Sequence, residues 1–300
     1  MGFTNTDLKT VPDKTRQPKQ DLADENYKLM FGGTSWKSIR QVNEKILIAG
    51  ENSTGKTSLA LNLALHDIKD DEIVMYVEID NSGAQLIKTY YLDYVENEQL
   101  RPMNAVATKV DESGKTILLE EKTVNNAASF ATVAQMALDN GFKIKTIIID
   151  GLSFLLKYCE AVMRIDKRKA VDDGIPMGAW KVRNDKFTKF YSPFMLLPTS
   201  VIFLAHEDFV REMAEDGKFA NVKQLFIDEC SIRIITERRA NANPDVEDYV
   251  AIIKKHRADV TKTNKEYKFF SVNNKSSKTD TNIDELANVI FLTPNGVNDD

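Results

Sequence analysis

The chain has 300 residues, 42% apolar and 28% charged, which is ordinary for a globular protein and leaves room for one large α/β domain. Its net charge of −5 excludes a wholesale polyanion binder, although a local basic patch is compatible with it. The two cysteines, Cys159 and Cys230, lie far apart with no CxxC or Cys/His spacing, which excludes a disulfide scaffold and a structural zinc site and points to a reducing, cytoplasmic setting.

In chain order, residues 1–26 are polar, carry two prolines and have almost no apolar periodicity, so a mobile tail is expected there, with the folded part at 27–274. "KILIAG" is a short apolar strand, "KTSLALNLALHDI" an amphipathic helix and "EIVMYVEID" a second strand. "LIKTYYLDYVENEQL" has a helical pattern, and "AVATKV" and "KTILLEE" form a pair of strands around "DESGK". "ASFATVAQMALDNG" predicts a helix stopped by Gly141, and "KTIIIDG" a third apolar strand. Residues 151–198 are mostly helical in pattern, with a break at "DDGIPMG"; "TSVIFLAHED" is a fourth apolar strand. "SPFMLLPTSVIFLA", the longest apolar stretch, is interrupted by Pro193 and Pro198 and is too short to span a bilayer, and no basic-then-apolar leader opens the chain. "CSIRIITER", "DYVAIIKK" and "EYKFFSV" alternate as strands, and 275–300 is a polar tail with one apolar island, "LANVIFLT". Apolar strands separated by helices imply an α/β fold: a mainly parallel twisted sheet with helices on both faces and a β-rich C-terminal part. Ligands of such sheets sit beyond the carboxyl ends of the strands.

Gly-x-x-x-x-Gly-Lys-Thr runs from Gly50 to Thr57 between a strand and a helix. Backbone N–H groups of Asn52, Ser53, Thr54, Gly55, Lys56 and Thr57, with Ser58 following, can wrap the β-phosphate of a triphosphate at the helix N-terminus. Lys56 would bridge the β- and γ-phosphates and the Thr57 hydroxyl would ligate Mg²⁺. Asp150, ending "TIIID", is the expected second metal contact. Glu78 and Asp80 end the second strand, and alternation puts both on one face there. Either could orient the attacking water, with Glu78 favoured on reach. His206, closing "VIFLAH", stands where a γ-phosphate sensor could act.

The order strand–"GENSTGKT"–helix, "YVEID", "TIIID", "SVIFLAH" and a β-rich end with "IIKKHR" resembles the RecA-like P-loop ATPase core over roughly residues 30–272. His206 at the sensor position and "LFIDECSIRI" look more like the short phage and archaeal-element RecA-like ATPases of DNA recombination. The resemblance implies Mg²⁺-dependent ATP hydrolysis, assembly into a ring or filament, and a basic residue reaching into the neighbour's site, for which Lys254, Lys255 and Arg257 are candidates. It departs from that pattern at Gly151, where RecA has serine. The resemblance also places a polynucleotide against loops after the metal-aspartate and sensor strands. Residues 157–189 hold nine Lys/Arg against five Asp/Glu, interleaved with Trp180, Phe187, Phe190 and Tyr191, a mixture suited to single-stranded DNA. Arg164, Lys167, Arg168, Lys169, Lys181 and Arg183 are the candidate contacts. A ring helicase or packaging motor, and a KaiC-like signalling or scaffold ATPase that binds protein, are the alternatives.

Overall fold

Nine strands form the central sheet, and the reason for its parallel middle is written in their burial. In the computed structural model, residues 43–80, 83–167, 174, 177–207, 229–273, 275 and 279–291 are described; the expected tail at 1–26 lies outside them. β1 (Lys45–Gly50), β6 (Lys143–Asp150) and β7 (Ser200–His206) are almost wholly buried. Successive residues supply opposite faces. Leu47, Ile147, Ile149, Val201 and Phe203 pack into one core layer, whereas Ile46, Ile48, Ile148, Ile202 and Leu204 pack into the other. Helices α4 (Glu120–Asp139), α5 (Leu152–Asp166) and α6 (Trp180–Leu196) cover the first face. The second is covered by α1 (Lys56–Leu65), by α2 (Ala84–Tyr90), which continues through Tyr91 into α3 (Leu92–Glu96), and by α7 (Asp284–Ile290). Fully burying one such Ile or Leu contributes about 1.5–3 kcal/mol, so two-sided cover is what makes a continuous apolar run favourable.

The strand order is β11-β10-β9-β8-β1-β7-β6-β2-β3. The run from β8 (Ile232–Ala240) through β1, β7, β6 and β2 (Glu72–Glu78) to β3 (Leu100–Asn104) is parallel. Beyond β8, the strands β9 (Val246–His256), β10 (Glu266–Asn273) and β11 (Thr279–Thr281) continue as an antiparallel extension. The fold class is therefore the α/β arrangement expected. A separate hairpin pairs β4 (Thr108–Val110) with β5 (Thr116–Leu118).

Three local differences from the sequence reading have physical causes. The helical pattern at 86–100 breaks at Tyr91 and again at Glu98, whose φ is 60°, and the chain then enters edge strand β3. Pro102 is tolerated there because an edge strand needs fewer ladder donors. Pro193 lies inside α6, one residue before the buried Phe194; the helix stops at Leu196, and Leu197 is extended ahead of Pro198. From 279 the chain forms β11 and then α7, whose Leu286, Ala287, Val289 and Ile290 join the core, so the folded part continues past the boundary expected at 275. Among the described residues no helix is long and apolar enough to cross a membrane.

Candidate nucleotide-binding site

The loop between β1 and α1 lies at the carboxyl edge of the parallel strands. Ser53 and Gly55 have left-handed backbones, with φ of 61° and 79°, and alternation of this kind turns successive N–H groups toward one point. A Cβ on Gly50 would collide with the Thr236 hydroxyl and stand 2.6 Å from both Thr236 O and Thr54 Oγ1. α1 starts with no side-chain cap and no acidic residue in its first turn. Its N–H groups and positive dipole end are thus left for an anion. Lys56 folds back on the loop, donating to Gly50 O at 3.1 Å and to Glu51 O at 2.6 Å. Burial lowers its pKa, against the opposing pull of the Asp150 and Asp80 charges.

Asp150 ends β6 and is 5% exposed. Its Oδ2 accepts from Thr57 Oγ1 at 2.8 Å and from Tyr76 OH at 2.7 Å. Burial, and then the nearby Asp80 charge, push its carboxyl up to about 6 despite those two bonds. A buried carboxylate beside a threonine hydroxyl is an all-oxygen donor set, which suits a hard divalent cation. Gly151 follows with φ 105°, and a Cβ there would stand 3.1 Å from Ile79 Cβ and 3.4 Å from Asp80 Cβ. The tight turn into α5 requires that conformation, and this accounts for glycine at the position.

The two candidate bases part company. Glu78 Oε1 accepts the backbone N–H groups of Gly83 and Ala84, so this buried carboxylate caps the start of α2. Asp80 is half-buried, and its charge acts on Lys56, Asp150 and Tyr158. His206 stands level with Gly50 on the adjacent strand. Its N–H donates to Ser153 Oγ at 2.8 Å, and its ring meets Phe154 edge-on at 5.7 Å.

Lys254, Lys255 and Arg257 are elsewhere. Ala251 is level with Thr236, and Thr236 with Gly50. β9 runs antiparallel and Lys255 is level with Arg233, so Lys255 lies about 10 Å, and Arg257, whose N–H donates to Ser231 O, about 17 Å, down the strands from the loop's level. They occupy the opposite edge of the sheet from their own loop.

Part of the expected DNA surface is internal. Phe187, Phe190 and Tyr191 are core residues. Arg183 is 4% exposed, stacked 4.4 Å from the Trp180 ring centroid and bonded to Asn184 Oδ1. Arg164 is paired with Glu160 at 2.9 Å. Lys167 and Lys181 are exposed, while Arg168 and Lys169 lie outside the described residues. The apolar periodicity of α6 thus records a core face, and Arg183 falls on that face because position 183 is one helical turn from Phe187.

Sequence reasoning missed two site residues. Tyr76 looks like one more apolar residue of a buried strand, and Thr236 lies far downstream of the loop it touches.

A family model described as "AAA domain" matches residues 42–264. No curated protein matches the chain. Among solved structures, a KaiC-like protein from the hyperthermophilic archaeon Pyrococcus horikoshii OT3 is 12% identical, with 76% of this chain and 85% of that one covered and a TM-score of 0.44. The flagellar accessory protein FlaH from Methanocaldococcus jannaschii is 15% identical over 77% of this chain and 85% of its own, with a TM-score of 0.41. With the phosphate loop, its lysine and the Thr57–Asp150 pair inside the matched span, the chain belongs to the AAA domain family of P-loop ATPases.

Proposed function

We propose that the protein is a Mg²⁺-dependent ATPase in which Asp80, rather than Glu78, orients the attacking water. The observation that carries this reading is the hydrogen bond from the half-buried Thr57 to the buried Asp150, beside a loop whose helix end is uncapped. On nucleotide binding, Lys56 exchanges the Gly50 and Glu51 carbonyls for the β- and γ-phosphates, and the loop N–H groups hold the phosphate oxygens. Thr57 and Asp150 would hold Mg²⁺, which would supply neutralisation of phosphate charge. Glu78 has its carboxylate engaged by two backbone donors, whereas Asp80 faces the charges of the site. His206, level with the loop, reports the γ-phosphate through Ser153 and α5. Lys254, Lys255 and Arg257 are too far from their own loop to act in cis, and this supports a role at a neighbour's site in an oligomer.

Turnover measured on Lys56→Ala, Asp80→Asn and Glu78→Gln tests the assignment. Lys56→Ala abolishes hydrolysis, Asp80→Asn lowers it at least about 100-fold, and Glu78→Gln keeps most of it. Near-normal hydrolysis by Lys56→Ala would refute the cradle, and loss with Glu78→Gln alone would return the role to Glu78.

Single-stranded DNA is the target we propose for the turnover, supported by the exposed Lys167 and Lys181 on the helices that follow the metal-aspartate strand. Labelled single-stranded DNA, titrated at low salt with and without a non-hydrolysable ATP analogue, tests it. Absence of binding in both states would leave the protein-binding scaffold as the reading, because phosphate contacts are strongest at low salt.

A further inference from the structure

The wall behind the phosphate loop is built by residues outside the motif. Thr236, on β8, is level with Gly50 in the sheet and 1% exposed. Its hydroxyl lies 2.7 Å from that of Thr54 and 3.3 Å from the Ala49 carbonyl oxygen. Thr54 Oγ1 in turn donates to Glu51 O at 2.9 Å. A hydroxyl has a single proton to give. With Thr54's proton on Glu51 O at 2.9 Å, Thr236 gives its one proton to Thr54 at 2.7 Å in preference to the Ala49 oxygen at 3.3 Å, and the direction runs from Thr236 to Thr54 to Glu51.

Glu51 O is also one of the two carbonyls on which Lys56 rests. When phosphate draws Lys56 away, the Thr54 hydroxyl still holds that carbonyl, and Thr236 still holds Thr54. At the other end of the loop, Tyr249 of β9 and Phe269 of β10 lie against Gly55; a Cβ there would stand 3.1 and 3.2 Å from their rings. The loop is therefore supported at one end by β8, through a hydroxyl relay, and at the other by the antiparallel extension, through an aromatic pair.

We propose that Thr236 is a positioning residue of the nucleotide site: acting through Thr54, its hydroxyl fixes the loop shape that receives the phosphates. The proposal rests on the nucleotide-binding reading above. It assigns no contact between Thr236 and the nucleotide.

The test compares the wild type, Thr236→Val, Thr236→Ser and Lys56→Ala in titrations with a fluorescent ADP analogue, alongside thermal melts and steady-state hydrolysis. Valine keeps the shape and removes the hydroxyl. Thr236→Val weakens ADP binding about five- to tenfold, raises KM for ATP more than it lowers kcat, and melts close to wild type. Thr236→Ser restores affinity to within about twofold, since it retains the donor. Wild-type affinity in Thr236→Val overturns the proposal, as does a serine variant as defective as the valine one. A fall in affinity that tracks only the unfolded fraction in the melts also overturns it, by reducing Thr236 to a structural residue. If Lys56→Ala loses binding and Thr236→Val does not, the relay alone fails. If Lys56→Ala binds normally, the nucleotide site itself fails, and the relay with it.

Discussion

Asp150→Asn is expected to raise stability and abolish turnover in the same molecule. The Asp150 carboxyl titrates at about 6 in the folded protein against an ordinary 3.8, a difference worth roughly 3 kcal/mol of destabilisation once the group is ionised in both states. Asparagine removes the buried charge and keeps an oxygen that can accept from Thr57 and Tyr76. Its amide N–H₂ needs a partner of its own, at a cost of about 1–2 kcal/mol. The net gain is therefore about 1–2 kcal/mol, or some 2–8 °C in Tm for a domain of this size. The sign follows from proton uptake. A carboxyl raised on folding binds its proton more tightly in the folded state, so wild-type stability falls as pH rises from about 4 to about 6 and stays low above it. The assay is thermal melting of both proteins at pH 8 and pH 5 without nucleotide or Mg²⁺. The variant melts higher at pH 8, and its advantage shrinks toward zero at pH 5. A variant that melts lower at pH 8, or a difference that does not change with pH, would refute the reasoning. Hydrolysis by the variant should fall at least about 100-fold, an instance of stability given up for a functional charge.

Other outcomes follow from the same geometry. Mg²⁺ binding by the free protein weakens as pH falls through about 6, because the protonated Asp150 no longer offers an anionic oxygen; Mg²⁺ titrations from pH 5 to 8 check this. Gly50→Ala places a methyl against Thr236 and Thr54, costing about 1–3 kcal/mol in denaturant unfolding and eliminating nucleotide binding. Arg183→Ala removes a buried guanidinium from Trp180, Asn184 and the neighbourhood of Glu160, and lowers stability by about 2–3 kcal/mol. Any loss of DNA binding by that variant should be no larger than its loss of folded protein, whereas a phosphate contact would reduce DNA affinity at unchanged Tm.

What was legible in the sequence was what is local. Gly50 to Thr57 is one contiguous turn, and Asp150 and His206 end uninterrupted apolar runs, so periodicity alone put them at the site's edge of the sheet. The choice between Glu78 and Asp80 was not legible, because it depends on where the backbone N–H groups of Gly83 and Ala84 return. Tyr76 was hidden by its own aromatic ring in a buried strand, and Thr236 by the length of chain between it and the loop. The basic and aromatic segment at 157–189 has the composition of a nucleic-acid groove, but composition carries no phase. Helix α6 turns Phe187, Phe190 and Arg183 inward together. Edge strand β3 and helix α7 escaped for a related reason: each is short, and the sheet or core it joins supplies most of its stability.

The wall of the phosphate loop has a consequence for biosynthesis. β1 lies between β7 and β8, and the residues beneath Gly50 and Gly55 belong to strands that end as late as Asn273. The lysine motif is therefore translated long before the strands that shape it. At about 5–20 residues per second, Thr236 follows Thr57 by roughly 10–40 s. During that interval the nascent chain carries the motif without its support, and a ribosome stalled before β8 releases a polypeptide with every residue of the phosphate motif and no formed cradle. Formation of the cradle is thus tied to the synthesis of β8, β9 and β10, well after that of the motif itself.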